Sequence, residues 1–585
     1  MAQEPLPSEF DVVVLGTGIP ESIMAAACAR LGQSVLHLDR NDFYGGLWAS
    51  FNLEAIQTWA NAVSDCSATQ SVAPSDLDAV AFVEPGEKLL LCDKVPSLVS
   101  NVRHRWHVDH AARKQSSCPI KEAATCQATE QSAEWSEVPT DSQKADPVPG
   151  LPAAETPETL PSPAFHHISE EVVEYSGWTK DRVERDWRRF SLDISPKLLQ
   201  ARGHLVQLLI SSGVGRYAEF KCLSRYLCQI DNCLKEVPCS RADVFQSNDI
   251  SMVEKRQLMK FLNFCLNYET ETKEYEGFES KTFLEFLESK EMSAKLRLYI
   301  SRSIAMVPLD ASTLEGIAAV RKFLMSIGRY GNSPFLWTLY GSGELPQCFC
   351  RLCAVFGGIY CLRRQVEAWI VDQENRCVAI ISEGQRINCR FVIAEPSYLP
   401  SDYQTCLVAE RKSVQRAVLI TSNTIKSGLK EHLSLLNYYD HSSVPVKILE
   451  LGCNALVSPK DLYTIHMTSC GEEPAEQRFW PILQGFLSTD DETAEPDKPR
   501  LLWSLFFDRK PLSVNQTTPE NTLPSNVALA SQPDETLDYD SVILETRRLF
   551  EHLWPGEDFL PELPPEDDNS PLPSDPGING FVPEP

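Results

Sequence analysis

The residues whose types and spacing could do chemistry stand near the start of the chain, where Gly16-x-Gly18-x-x-Glu21 follows a short apolar run and Asp39 ends a second one. Two glycines so spaced allow a turn tight enough for a pyrophosphate to approach the start of a helix. An acid some twenty residues further on suits a ribose hydroxyl. The third glycine of that fingerprint is replaced by Glu21. A carboxylate in this place takes the free N–H groups and the positive end of the helix dipole for itself, and it repels a second anion. Gly16, Gly18, Glu21 and Asp39 therefore form a degenerate dinucleotide motif that is not expected to bind.

Gly45 and Gly46 lie six and seven residues beyond Asp39, a spacing shared with flavin-dependent amine oxidases, but Leu47 stands where those enzymes often have a phosphate-contacting arginine. The expectation is a flavin-type scaffold that has lost its site, with no cofactor. Cys348, Cys350 and Cys353 invite a metal reading. On a helix, however, residues two apart point about 200° from each other, so the first two cannot converge. No other pair has structural-zinc spacing and there is no His-Glu-x-x-His, which leaves free thiols and no metal. No Gly-x-Ser-x-Gly elbow or Walker loop is present, and the 11 histidines are scattered. No catalytic residue is expected.

The elements that position the motif are legible. Residues 10–39 run strand, glycine turn, Ala-rich helix, strand: the βαβ opening of a doubly wound fold. The fold expected is α/β, a FAD-binding-like (Rossmann-type) domain built from discontinuous segments, with an inserted all-helical subdomain and a disordered acidic insertion. Its first part is 1–60. Residues 61–185 form the largely disordered insertion, whose segment 114–163 is too polar to offset its ordering entropy. The α/β domain continues over 186–237, with a helix from about Pro196 and two short strands around Asp231-Asn232. The helical subdomain is 238–328. Residues 329–554 return to α/β: a helix opening at Gly341–Gln347, strands at 367–372, 377–382 and 386–394, alternating strand and loop over 415–508, and a helix at 539–553. The tail 555–585 is acidic and Pro-rich, without Lys or Arg.

With 54 Lys and Arg against 81 Asp and Glu, the formal net charge of -27 disfavours nucleic acid as a partner. The 585 residues call for more than one packed core, and 43% hydrophobic content is that of a globular protein. The 19 cysteines, without a secretion signal or an apolar run of membrane-spanning length, read as reduced thiols in a soluble cytosolic protein. Residue Ala2 and the terminal Phe581-Val-Pro-Glu-Pro carry no lipidation signal.

Several stretches together resemble the family of Rab escort proteins and Rab GDP-dissociation inhibitors. They are Leu15-Gly-Thr-Gly-Ile-Pro-Glu-Ser with Asp39-Arg-Asn-Asp-Phe-Tyr-Gly-Gly, Asp193-Ile-Ser-Pro-Lys, Arg216-Tyr-Ala-Glu-Phe-Lys, Gly328-Arg-Tyr-Gly-Asn-Ser-Pro-Phe, and Tyr340-Gly-Ser-Gly-Glu-Leu-Pro-Gln continuing to Tyr360. The long insertion and C-terminal extension resemble the escort branch. The resemblance implies a non-catalytic partner of Rab geranylgeranyl transferase. Such a protein binds GDP-bound Rab, unprenylated and prenylated, and shelters the prenyl lipid. It meets the catalytic heterodimer and touches membranes only transiently.

By the same resemblance, a Rab-binding platform falls on Tyr44, Glu344 and Arg351, the last two a spacing of seven that keeps both on one helix surface. A protruding phenylalanine that meets the transferase falls on Phe283, with Phe286 the neighbouring candidate. A GDP-dissociation inhibitor without a transferase role, and a flavin-dependent oxidoreductase with a degenerate motif, remain as alternatives at this level.

Overall fold

The opening apolar run becomes β1 (Glu9–Leu15), followed by α1 (Ile19–Arg30) and β2 (Val35–Leu38). This is a computed structural model, and it describes residues 5–65, 70–71, 82–92, 94–95, 98–109, 177–230, 233–237, 251–404, 407–409, 412–426, 428, 432–439, 444–489, 498–514 and 523–561. Every residue of α1 from Ile19 to Ala29 is buried. Its run of Ala25, Ala26, Ala27, Cys28 and Ala29 explains how: small side chains let a helix pack all round, against the sheet, against α2 (Glu344–Val355) and against the helix Asp540–Leu553.

β1 pairs in parallel with β2 and with β4 (Gln385–Ala394), and β2 with β3 (Ile359–Cys361). Antiparallel strands Cys377–Ser382, Ala368–Val371 and Lys88–Leu91 extend this sheet beyond β4, and Val527–Leu529 also pairs with β4. A second eight-stranded sheet runs in the order Cys233–Glu236, Arg225–Ile230, Ser434–Tyr438, Val446–Leu451, Tyr463–Gly471, Ser413–Thr421, Leu501–Arg509, Val99–Trp106.

The helical segment packs on this second sheet, Leu433, Leu435 and Leu449 meeting Phe261, Phe286 and Ile317 in one core. The helices Met252–Asn267, Phe283–Ser289 and Thr313–Ser326 each start with a capping box, Ser251/Glu254, Thr282/Glu285 and Ser312/Glu315. Side chain and backbone there satisfy each other's free groups, so these starts are set locally.

The structure departs from the sequence reading in three places. The helix expected from Pro196 begins at His204, because Leu199–Gln200 is drawn into a strand beside Phe335–Thr338. The span 61–185 contributes Lys88–Leu91 to the first sheet and Val99–Trp106 to the edge of the second, pairings that no local periodicity announces. The stretch 415–508 contains a helix, Ala475–Phe486, despite Pro481. Burial of Ala475, Phe479, Ile482 and Leu483 on one face outweighs the proline. The insertion 114–163 and the tail beyond Pro561 lie outside the described residues.

Candidate functional site

The crevice at the carboxyl ends of β1, β2 and β4 is where a doubly wound fold would receive a dinucleotide. Here the chain's own side chains fill it. Glu21 is 2% exposed, lies against Gly18, and its Oε2 has no hydrogen-bond partner. Asp39 accepts from the Thr17 N–H at 2.9 Å and hydroxyl at 2.6 Å, from the Asn41 N–H at 2.8 Å and side-chain amide at 2.9 Å, and from the Tyr398 hydroxyl at 3.2 Å. Both its oxygens are engaged, with none left over for a ribose. Arg40 closes the floor, its guanidinium 3.6 Å from the Tyr398 ring and donating to the Ser397 carbonyl at 3.1 Å. A dinucleotide does not fit this arrangement.

Burial, and then the nearby Glu395 and Asp39 carboxyls, push Glu21 well above the ordinary glutamate range, against the pull of its own backbone N–H. A raised carboxyl contributes stability that is full below its unfolded value, near 4.5, and is lost as pH rises through the folded one. Glu21→Gln, always neutral, should therefore match the native chain at acid pH and melt above it as pH rises to 8. Thermal melts across that range check this, and a glutamine variant that melts lower throughout would refute it.

A second cluster surrounds α2. The loop before it is shaped by Asp193, fully buried, which accepts from the Ser50 hydroxyl at 2.5 Å and the Ser342 N–H at 2.9 Å. Ser50 in turn accepts from the Gly343 N–H at 2.8 Å. Gly341 has φ +101°, and a Cβ there would stand 2.5 Å from Asp193 Oδ1, so only glycine fits. This loop sets Glu344 in the first turn of α2, half-buried, its carboxyl raised by burial and then by Asp193.

Arg351 lies two turns on, exposed, its guanidinium 4.5 Å from the Tyr217 ring. Glu344 and Arg351 act with opposite sign on the thiol of Cys348 between them, which burial takes up to about 12. Tyr44, partly buried, sits 6.3 Å from the Tyr360 ring, and its hydroxyl is raised first by burial and then by the neighbouring Cys350 of α2 and Cys361. Glu344 and Arg351 thus share one surface of α2, whereas Tyr44 stands by Cys350, on another side of that helix. Tyr340 (53% exposed) and Leu456 (40% exposed) are exposed hydrophobics on loops joined by a Tyr340 N–H to Ala455 carbonyl bond of 3.4 Å, and sequence reasoning did not single them out. Single side chains on loops carry no periodicity that would mark them.

The phenylalanines do not protrude. Phe283 is 1% and Phe286 0% exposed. Phe283 packs directly over Gly316, where any Cβ would overlap its ring, and Phe286 stands among Phe261, Phe264 and Phe278. The expectation of an exposed anchor is corrected: a short helix packed on several sides buries both rings, and its amphipathic pattern cannot tell contact from core.

Cys348 and Cys350 diverge as the helix requires, whereas Cys350 and Cys353, three apart, both reach Tyr360. Cys348 donates to the Tyr217 carbonyl at 3.4 Å, Cys350 lies 3.3 Å from the Ser22 hydroxyl, and Cys353 packs under Gly358. Burial raises Cys350 to about 11 and Cys353 to about 12, so neither is a ready thiolate. Among the described residues no three His, Cys, Asp or Glu side chains gather as for a metal, and no helix is long and apolar enough to cross a membrane.

The model of the GDP dissociation inhibitor family matches residues 6–70 and 174–554. The chain is 37% identical to the mouse (Mus musculus) Rab proteins geranylgeranyltransferase component A 2 over 96% of its own length and 99% of that protein's. It is 36% identical to the human (Homo sapiens) component A 1, over 96% and 93% of the two lengths. Among solved structures, a Rab GDI from Plasmodium falciparum superposes with a TM-score of 0.59, at 16% identity, covering 94% of this chain and 99% of that one.

Proposed function

The chain belongs to the GDP dissociation inhibitor family, among the Rab geranylgeranyltransferase component A proteins, and from this premise we propose that it is a Rab escort protein. It binds a GDP-bound, unprenylated Rab and offers the Rab's C-terminal cysteines to a separate catalytic heterodimer. It then keeps the prenylated product in solution until a brief membrane encounter. The chain supplies no catalytic group of its own. The prenyl-transfer chemistry belongs to the heterodimer.

The observation that carries this reading is the conversion of the Rossmann frame. The nucleotide crevice is filled by Glu21, Asp39 and Tyr398, while the helix beside it carries an exposed Arg351 stacked on the Tyr217 ring, two turns from the half-buried Glu344. An arginine stacked on an aromatic is held in position before a partner arrives, so it loses little freedom on binding. Preference for the GDP state would also slow nucleotide release from the bound Rab.

The test is prenylation of an unmodified Rab by its transferase heterodimer, with and without this protein. Prenylation that depends on the added chain supports the reading. Extraction of already prenylated Rab without any stimulation would move it to an inhibitor role. Tyr44→Ala and Arg351→Ala should each weaken binding of GDP-bound Rab about tenfold, about 1.4 kcal/mol, while leaving the melting temperature unchanged. Affinities within a factor of two of the native chain, measured by titration, would remove these residues from the platform. We assign the transferase contact to the helical subdomain, with Phe283 or Phe286 entering only if a ring leaves its core position.

A further inference from the structure

The face of the second sheet that looks into the molecule carries cations where strand alternation would place apolar side chains. Lys447, Thr468 and Arg416 are cross-strand neighbours on Val446–Leu451, Tyr463–Gly471 and Ser413–Thr421, and His466 stands in the next row. Lys197, 2% exposed, lies above them. Lys197, Lys447, His466 and Thr468 line one small cavity with Leu449 and Thr536, of a size to hold one water molecule or one monatomic ion.

The hydrogen-bonding groups facing this cavity do not balance. Lys197 Nζ uses its donors on Asp534 and on the carbonyl and hydroxyl of Thr536, at 2.6 and 2.8 Å. Lys447 Nζ donates to the Glu535 carbonyl at 2.5 Å, which leaves it two N–H groups. Arg416 donates through Nε to the Ile194 carbonyl at 3.0 Å and through Nη1 to the Thr468 hydroxyl. That hydroxyl keeps its own proton to give. His466 is 1% exposed and neither ring nitrogen has a hydrogen-bond partner. Burial holds its imidazole far below the ordinary histidine range, hence neutral, with one donor and one acceptor nitrogen.

The side chains therefore offer the cavity four donors, two on Lys447 and one each on Thr468 and His466, while its acceptors are the bare His466 nitrogen and the spare lone pairs of the Thr468 and Thr536 hydroxyls. Of the carboxylates that act on these lysines, Asp534 is spent on Lys197, Thr536 and Ser541, and Glu535 acts on Lys447. A water molecule must also place two hydrogens, whereas an anion needs only donors.

We propose that this cavity binds a single monatomic anion, chloride, held by Lys447, Thr468 and His466. The strap over it, continuing back from Lys197, is the one that begins at Asp193, so the anion fixes from beneath the segment that shapes the loop before α2.

Crystals of the full chain soaked in bromide should show an anomalous peak in contact with Lys447 Nζ and Thr468 Oγ1. In solution at constant ionic strength, replacing gluconate by chloride should raise the melting temperature by about 1–3 °C. The rise should vanish in Lys447→Met. No bromide peak, or equal melting in the two salts, overturns the proposal. If Lys447→Met does not fold, the bromide experiment on the native chain still decides.

Discussion

Phe286→Ala should lower the unfolding free energy by about 3–5 kcal/mol, the cost of removing a fully buried ring and leaving a cavity. The ring has Phe278 at 5.6 Å, Phe264 at 6.0 Å and Phe261 at 6.4 Å, aromatic neighbours that cannot collapse into the gap without leaving their own rotamers. Denaturant unfolding measures the loss, and a change below about 1 kcal/mol would mean the ring is not core. Phe286→Leu separates the two roles that family resemblance and burial give this residue. Leucine keeps most of the apolar volume but not the ring. If a folded Phe286→Leu chain still assembles with the transferase heterodimer, the ring is core alone. If assembly fails while Rab binding persists, the ring swings out to meet the partner, and the subdomain must open locally to release it.

Asp193→Ala should be nearly as costly, about 2–4 kcal/mol, and unlike the platform substitutions it should damage stability and Rab binding together. Its carboxyl is fully buried, and removing it strands the Ser342 N–H and the Ser50 hydroxyl and takes away the negative charge that faces the buried Arg416. The loop from Gly341 to Gly343 then loses what holds it against Ser50, and Glu344 moves with it. Asp193→Asn, which keeps an acceptor, should lose less on both counts. A native unfolding midpoint in Asp193→Ala would show that the loop holds its shape without this anchor.

The sequence by itself determined what depends on neighbours a few residues away. Asp11-Val-Val-Val-Leu, the glycine turn and the Ala-rich run specify β1, α1 and the turn between them, because strand, turn and helix preferences are local. Glu21 could be seen to occupy the anion's place at the start of a helix, since that conflict lies within the motif. The spacing of Glu344 and Arg351 put both on one helix surface, and Cys348 between them feels both charges.

Tertiary structure decided the rest. The pairings of Lys88–Leu91 and Val99–Trp106 join residues hundreds of positions apart, and their short runs hold no sign of a partner. The burial of Phe283 depends on a glycine on another helix, Gly316, and that of Phe286 on Phe261 and Phe264 of the helix Met252–Asn267 and on Phe278 of the segment before its own helix. Lys197, Arg416, His466 and Lys447 look in sequence like ordinary surface polar residues. They meet because strand register sets three of them side by side and a strap from far upstream brings the fourth across, and register is a property of the assembled sheet.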